Sequence, residues 1–264
     1  MSGKPLTLKE IQETELNILV KVDSFCREHN IKYSLYAGTM LGAVRHKGFI
    51  PWDDDIDICM DRENYEKFLK EFKGDERYKL ATYKNDKKAN RLFFSKVFDT
   101  FTIATEEGKN SINGEGLWLD IFPFDYVPED GKKRQRIVKK FYLYSHTLAY
   151  RQDTVFNIKH ALFRILFFWK TTDSMYKEFE KYWSLAKPTK CCTDLTSMSL
   201  KDVKEGKKVF PVSYFSNIIP IEFEHHTFSC LANYDDMLTR IYGDYMKLPP
   251  IEKRQTHHIE AYFK

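Results

Sequence analysis

Four aspartates within five positions constrain this chain more than any other feature of its sequence. Asp53, Asp54, Asp55 and Asp57 stand among apolar residues. A folded chain crowds like charges at the edge of its core only where a counter-charge compensates for them. Carboxylate oxygens favour Mg²⁺ or Mn²⁺ as that counter-charge. The cluster therefore predicts a divalent-cation site and, with it, phosphate chemistry.

The pattern around the cluster predicts that the acids lie on a strand. Residues Asp55–Met60 alternate acidic and apolar side chains, which is the period of a strand. In a strand, Asp53, Asp55 and Asp57 share one face, and the apolar side chains share the other. Asp55 and Asp57 are then about 7 Å apart along the same side, so that their oxygens can reach one metal ion or bridge two.

A helix and a glycine turn precede the acids. Apolar residues at helical spacing predict a helix over 8–29, followed by a short strand over 33–37. Gly38 and Thr39 are predicted to form a turn, and one or two helical turns follow over 40–45. Gly38 allows the backbone to approach a phosphate group, and the helix after it presents unpaired N–H groups to the same group.

One further acid lies inside an apolar strand pattern. Residues 117–122 run Leu-Trp-Leu-Asp-Ile-Phe, so Asp120 is predicted to be buried and to need a partner. A structural role is one alternative, either as a helix cap or paired with Arg91 or Lys96. The functional alternative is that Asp120 is the third carboxylate of the metal site.

The remaining pattern predicts an α+β fold, with a nucleotidyltransferase-like mixed sheet flanked by helices and an additional, mainly helical C-terminal part. The further predicted elements are a helix from Asp61 to Gly74, strands over 78–83, 92–98 and 101–105, an extended segment over 210–223 and a helix over 234–242. We expect a catalytic core over 1–130. Residues 131–264 then form a basic, aromatic part that completes the donor and acceptor site, unless the whole chain is one domain.

Residues 132–170 change the composition of the chain. Ten Lys or Arg stand there against one acid, Asp153, and nine aromatic residues are interleaved with them. The segment is predicted to be helical, either as a solvated basic face over an aromatic core or as a surface for an anionic membrane. No RNA-binding motif accompanies the charge, and a net charge of +4 is too small to indicate nucleic acid.

Composition also bears on compartment. The five cysteines have no zinc spacing, which favours reduced thiols. We find neither a signal-peptide pattern nor an apolar run of the roughly 18 residues that a membrane span needs. The sequence therefore predicts a cytoplasmic protein, with peripheral contact at the inner face of the membrane.

Three blocks of sequence resemble the LicD family. They are residues 36–58, the Trp-Leu-Asp-Ile-Phe-Pro segment at 118–123 and the segment from Tyr242 to Pro250. The resemblance spans about residues 6–260 and implies a nucleotidyltransferase fold. Bacterial members of the family transfer phosphocholine from CDP-choline to teichoic acid or lipopolysaccharide sugars. The related eukaryotic fukutin-related proteins use CDP-ribitol.

The resemblance also implies roles for individual residues. Asp55 and Asp57 match the metal-binding pair of the family, and Asp120 matches its third carboxylate. Gly38 and Thr39 match its glycine turn. The implied cofactor is Mg²⁺ or Mn²⁺, and the implied partners are CDP-choline and a lipid-linked glycan acceptor.

The expected reaction is attack of a sugar hydroxyl on the β-phosphate of CDP-choline, with CMP as the leaving group. Asp120 is the candidate to orient or deprotonate the hydroxyl. The candidate phosphate-binding residues are Arg45, His46, Lys47 and Lys96, and His257 or His258 is expected to close over the site. Choline, a quaternary ammonium, is expected in an aromatic cage, for which the candidates are Tyr36, Trp52, Trp118 and Tyr126.

Three alternatives remain open from the sequence. The same fold could transfer another CDP-linked alcohol phosphate, such as that of ethanolamine or ribitol. It could instead add a nucleotide and release pyrophosphate. A protein of another class would be a catalytically silent module that binds anionic membrane through residues 132–169. The acceptor sugar and the number of metal ions are also open.

Overall fold

The fold is built on a seven-stranded mixed sheet with helices packed against it. The computed structural model describes residues 4–85, 93–106, 116–152, 158–196, 207–254 and 259–264. The helices are α1 (Leu8–Glu28), α2 (Ala37–His46), α3 (Arg62–Glu71), α4 (Gly131–Gln152), α5 (Ile158–Leu166), α6 (Thr172–Leu185) and α7 (Tyr234–Tyr242). The predicted α+β class is confirmed.

Eleven strands form one large and two small sheets among the described residues. They are β1 (Ser34–Leu35), β2 (Ile56–Asp61), β3 (Tyr78–Ala81), β4 (Ser95–Asp99), β5 (Thr102–Glu106), β6 (Trp118–Val127), β7 (Cys191–Asp194), β8 (Phe210–Pro211), β9 (Ile218–Phe223), β10 (His226–Leu231) and β11 (Ile259–Phe263). The large sheet has the order β1-β2-β6-β4-β3, and β7 joins β6 and carries β8. Strands β2 and β6 run parallel, which places the ends of both at the same edge.

Local sequence explains where the first helices begin. Thr7 and Glu10 form the capping box of α1, since each side chain binds the backbone N–H of the other residue. Asp61 caps α3 by accepting a hydrogen bond from the N–H of Asn64 at 2.8 Å. Both helices then bury an apolar face, and α1 packs across β2, β4 and β6.

The main core lies between the large sheet, helices α1–α3 and α7, and the β9–β10 hairpin. A second apolar cluster joins α4 and α6 around Phe141 and Phe179. A third lies where β11 pairs with β5 and Ala261 packs near Ile11 of α1. Segments from beyond residue 130 thus extend the sheet, and the division into 1–130 and 131–264 stays a prediction.

Two predicted boundaries near the acids are wrong. The strand expected over 33–37 is only Ser34–Leu35, and the turn expected at Gly38 and Thr39 is the first turn of α2. Strand β2 begins at Ile56, so Asp57 lies on it while Asp53 and Asp55 precede it. The chain turns at Pro51 and Trp52, and the alternation of burial that the sequence predicted runs from Asp53 into β2, although residues 53–55 are not paired as a strand.

The basic segment 132–170 forms α4 and α5 where it is described, and it ends in a turn over 167–169 instead of continuing as helix. None of the helices in the described part of the chain combines the length and the hydropathy that a bilayer crossing requires.

Candidate active site

A row of three charged residues crosses the middle of the large sheet. Asp57 of β2 is the register partner of Asp120 of β6, and Asp120 is the register partner of Lys96 of β4. Register partners on neighbouring strands point to the same face and stand about 4.8 Å apart. The fold therefore brings the two carboxylates together, as the sequence predicted.

Lys96 is the direct partner of Asp120. Its Nζ donates a hydrogen bond to Asp120 Oδ1 at 2.5 Å, and both side chains are nearly buried. The ammonium also lies 4.5 Å from the ring centroid of Trp118, which is a cation–π distance. Lys96 is therefore the partner of Asp120 among the alternatives that the sequence left open. Arg91 lies outside the described residues.

Two hydrogen bonds fix the start of α2 against β2. The N–H of Tyr36 donates to the carbonyl of Asp57 at 2.9 Å, and the N–H of Asp57 donates to Thr39 Oγ1 at 2.8 Å. A Cβ on Gly38 would stand only 2.8 Å from Asp53 Oδ2. Glycine therefore lets the Asp53 carboxylate approach the N-terminus of the helix, where negative charge is favourable, and a larger residue would push that carboxylate away.

The four clustered aspartates have different surroundings. Asp54 is buried, and its Oδ2 accepts a hydrogen bond from the N–H of Ile259 at 3.3 Å, which ties β11 to the cluster. Asp53, Asp55 and Asp57 are half-buried. Burial raises the pKa of Asp57 well above its ordinary value, and the charges of Asp55, Asp120 and Asp53 raise it further.

A cavity of about 360 Å³ opens beside Asp57. Tyr36 and Phe122 line it with buried rings, and Tyr242 lines it from the end of α7. Lys208 also lines the cavity. The site thus joins a carboxylate, a cation and aromatic surface in one concave space, which is the usual form of a small-molecule site.

Comparisons with known proteins identify the family of this chain. The family model described as the LicD/FKTN/FKRP nucleotidyltransferase domain matches residues 30–170, more than half of the chain. The lipopolysaccharide cholinephosphotransferase LicD of Haemophilus influenzae is 37% identical over 98% of this chain and 99% of its own length. This chain belongs to the LicD family.

Two shorter matches come from uncharacterised proteins of Rickettsia. The protein of Rickettsia typhi is 40% identical over 73 residues, which are 26% of this chain and 21% of that protein. The protein of Rickettsia prowazekii is 43% identical over 65 residues, which are 24% of this chain and 22% of that protein. These fragments support a shared segment and carry no information on activity.

The three LicD blocks of the sequence meet in space. The first block supplies α2 and β2, and the second supplies the first half of β6. The third block reaches the first through Arg45, whose guanidinium donates to the carbonyl of Tyr245 at 2.8 Å. Residues that are about 200 positions apart in the chain therefore line one site.

The basic residues predicted to bind phosphate differ in what they contact. The Nε–H of Arg45 donates a hydrogen bond to His46 Nε2 at 2.9 Å. His46 Nε2 is therefore unprotonated. Burial and the charge of Arg45 both lower the pKa of His46, which is therefore a neutral imidazole at pH 7. Lys47 is mostly exposed and forms an ion pair with Glu222 on β9 at 3.3 Å.

The candidate rings for an aromatic cage are dispersed. The guanidinium of Arg254 lies 5.1 Å from the ring centroid of Trp52, and the ammonium of Lys96 lies over the ring of Trp118. Tyr126 is six residues along β6 from Asp120, which is about 20 Å at the rise of a strand. Tyr36 is the one of the four that lines the cavity. His257 and His258 lie outside the described residues.

Glu15 of α1 is a functional candidate that the sequence reasoning missed. Its side chain is 0% exposed, and neither carboxylate oxygen has a hydrogen-bond partner among the described residues. Burial raises its pKa well above the ordinary value, and Asp55, Asp54 and Asp120 raise it further. The available signal was its position, since Glu15 continues the apolar stripe of Ile11, Ile18 and Val22.

The residues fit a divalent cation in chemistry. They supply carboxylate oxygens, and the crowding of acids around Glu15 and Asp57, which raises the pKa of both groups, would be relieved by a cation. No three His, Cys, Asp or Glu side chains of the described residues stand in an arrangement that could hold a metal ion as they are placed here. Lys96 supplies the positive charge at Asp120 in this arrangement.

Proposed function

We propose that this LicD-family chain transfers phosphocholine from CDP-choline to a hydroxyl group of a cell-surface glycan precursor, releasing CMP. The observation that carries the proposal is the row of Asp57, Asp120 and Lys96, in which Asp57 lines the cavity. The full-length similarity to a protein named as a lipopolysaccharide cholinephosphotransferase supports the choice of phosphocholine and of a lipopolysaccharide sugar as the acceptor. Teichoic acid remains the second acceptor class that we propose.

The proposed reaction is an in-line displacement at the β-phosphorus. The acceptor oxygen forms a bond to phosphorus, the bond from phosphorus to the oxygen bridging the two phosphates breaks, and CMP keeps that oxygen. The proton of the hydroxyl passes to a carboxylate, for which we propose Asp120, which the sheet holds next to Asp57. General-base assistance of this kind contributes roughly 10²- to 10⁴-fold to such reactions.

We propose Asp55, Asp57 and Asp120 as the residues that would hold Mg²⁺ or Mn²⁺. A bound ion of this kind neutralises phosphate charge and aligns the attacking oxygen. Strand β2 and its neighbour β6 supply two of these carboxylates from rigid backbone, and the burial of Asp57 favours a cationic neighbour. Lys96, which is hydrogen-bonded to Asp120, would supply positive charge for the departing phosphate.

We propose that the start of α2 and Arg45 bind the phosphates of the donor. The first N–H groups of a helix attract anions, and the hydrogen bonds to Asp57 and Thr39 hold this helix end beside the carboxylates. Arg45 adds a positive charge from the last turn of α2. His46 is neutral and would donate a hydrogen bond rather than a charge.

We further propose that α5 rests on the surface of an anionic membrane at the cytoplasmic face, where a lipid-linked acceptor is reached. Five large apolar side chains of α5 and the turn after it are 62–81% exposed, namely Ile158, Leu162, Ile165, Phe168 and Trp169. The spacing of the first three places them on one helical face. Six basic residues lie on the first half of the neighbouring helix α4, and such a combination suits anionic lipid.

The closest alternatives use the same fold with another donor. A panel of CDP-choline, CDP-ethanolamine, CDP-ribitol and nucleoside triphosphates, scored for CMP against pyrophosphate, distinguishes them. We expect CMP release with CDP-choline and a hydroxyl acceptor. Release of pyrophosphate would indicate nucleotidyl transfer, and vesicle binding without any donor turnover would indicate a silent membrane module.

A further inference from the structure

The cavity beside Asp57 has a lining that the proposed reaction has not yet used. Its wall combines the rings of Tyr36, Phe122 and Tyr242 with the aliphatic side chain of Ile241. Tyr36 and Phe122 stand 5.6 Å apart between ring centroids, with their planes tilted by 58°. This distance and angle are those of an aromatic pair in contact, so the two rings form one patch of the cavity wall.

The position of these rings follows from the strands that carry the acids. Phe122 is two residues after Asp120 on β6, and the period of a strand places it on the same face, about 7 Å along. Tyr36 is joined through its N–H to the carbonyl of Asp57. The aromatic wall therefore adjoins the carboxylates directly.

Tyr242 completes the wall from the opposite end of the sequence. Its side chain is 44% exposed, in contrast to the buried Tyr36 and Phe122. It lines the same cavity as Asp57. Tyr242 thus lies within the field of the same carboxylates, where a positively charged group is favoured.

The two tryptophans near the acids, Trp52 and Trp118, already have a cation of the chain itself over their rings. Arg254 lies over Trp52 and Lys96 lies over Trp118. A ring whose face holds a guanidinium or an ammonium is not open to a second cation. This observation directs a cationic ligand towards the cavity.

We propose that this cavity is the subsite for the quaternary ammonium group of the donor, with Tyr36, Phe122 and Tyr242 facing its methyl groups. This inference rests on the proposed phosphocholine transfer. In phosphocholine, two carbons separate the phosphate oxygen from the nitrogen, so the ammonium subsite has to adjoin the site of phosphoryl transfer. Asp57 lies on the wall of the cavity and meets that requirement.

The lining also discriminates among donors. Quaternary ammonium groups have no N–H, and they bind to aromatic faces through cation–π attraction. A polyol such as ribitol needs hydrogen-bonding partners for each hydroxyl, because unpaired polar groups are costly to bury. Lys208, which also lines the cavity, supplies positive charge for the adjoining phosphate.

The test compares CDP-choline with its neutral isostere, the CDP ester of 3,3-dimethylbutanol, by calorimetry with Mg²⁺ present. The two ligands have the same shape and differ in charge. We expect the full-length protein to bind CDP-choline roughly three- to tenfold more tightly than the isostere, as cation–π attraction predicts. Tyr242→Leu should reduce this ratio towards one, while Tyr242→Phe, which keeps the ring, should preserve it.

Phe101→Leu is the matched control, because Phe101 is similarly exposed and packs against Arg77 at the turn between β4 and β5. Phe101→Leu should leave the ratio of the two affinities unchanged. The affinity for CMP should be the same in every variant. If Tyr242→Leu and Phe122→Leu, both folded by thermal melting, keep the wild-type ratio, the subsite lies elsewhere and the transferase proposal stands. If the wild-type protein neither binds CDP-choline nor releases CMP from it, both proposals are overturned.

Discussion

Lys96 donates a hydrogen bond to Asp120 at 2.5 Å, and Asp57 stands in register on the other side of Asp120. The carboxylate of Asp120 on the central strand β6 therefore lies between a cation on β4 and a second carboxylate on β2. This arrangement explains how the sheet tolerates two adjacent acids in its nearly buried middle. It also makes Lys96 the residue whose removal should have the clearest consequence.

Lys96→Met should destabilise the protein by about 3 kcal/mol, since removing one partner of a nearly buried ion pair leaves the other charge uncompensated. Chemical denaturation of the variant measures the change. Lys79→Met, at an exposed position on the neighbouring strand β3, should change stability by less than about 0.5 kcal/mol.

The double variant Lys96→Met/Asp120→Asn should recover most of the lost stability, because no isolated charge remains. It should stay inactive, because the proposed base is gone. A double variant as unstable as Lys96→Met would contradict the pairing as the source of the effect.

Asp57→Asn should reduce phosphocholine transfer roughly a hundredfold or more while stabilising the fold in metal-free buffer. The raised pKa of Asp57 means that the charged carboxylate is disfavoured in the folded state, and the amide removes that charge. Transfer assays and thermal melting with EDTA measure the two effects. Glu260→Gln, an exposed position on β11, should change neither, and wild-type turnover by Asp57→Asn would remove Asp57 from the site.

Adding Mg²⁺ or Mn²⁺ should raise the melting temperature of the wild-type protein, and EDTA should stop transfer. A ligand that binds only the folded state stabilises it in proportion to the logarithm of its concentration. The increase should be largely lost in Asp55→Asn, which lacks one of the proposed ligands. An equal increase in both proteins would locate the cation elsewhere.

The proposed membrane contact predicts that the protein sediments with vesicles that contain phosphatidylglycerol and remains free of vesicles made of phosphatidylcholine alone. Ile165→Ser/Phe168→Ser should weaken binding about tenfold or more, because two large apolar groups no longer enter the interface. Ile251→Ser is the control, since Ile251 is 78% exposed at a distant place in the chain. Equal sedimentation of both variants would exclude α5 as the contact.

The acid strand and the buried Asp120 could be predicted from sequence because both depend on local alternation. The pattern over 55–60 gave β2 to within one residue, and Leu117–Phe122 gave the first half of β6. The N-caps of α1 and α3, Thr7 and Asp61, also depend on local sequence alone. These features need no knowledge of which strands become neighbours.

The partners across the sheet could not be predicted in the same way. Pairing of Lys96 with Asp120, contact of Arg45 with Tyr245, and the place of Tyr242 at the cavity all depend on tertiary packing. The turn predicted at Gly38 became helix because Thr39 and Tyr36 bond to β2 and fix the helix start there. A local propensity for a turn was overridden by these contacts.

Glu15 gives the protein a stability that should fall as pH rises. Its pKa is raised in the folded state, so the folded protein holds the proton more tightly than the unfolded chain does. This contribution is fully present below the ordinary pKa of a glutamate and is lost as pH increases through the folded pKa. Removing the ionisable group should remove that part of the pH dependence.

Glu15→Gln should therefore match the wild-type protein near pH 4 and exceed its stability by about 1 to 3 kcal/mol near pH 7.5, the usual range for relieving an unpartnered buried group. Urea denaturation across this pH range, in the presence of EDTA, measures the difference. Glu13→Gln is the control on the same helix, because that side chain is 62% exposed and only loosely paired with Lys9. A Glu15→Gln variant that is less stable than wild type near pH 7.5 would mean that the buried carboxylate has a charged partner in the folded protein, and the account of an uncompensated acid beneath the cluster would have to be replaced.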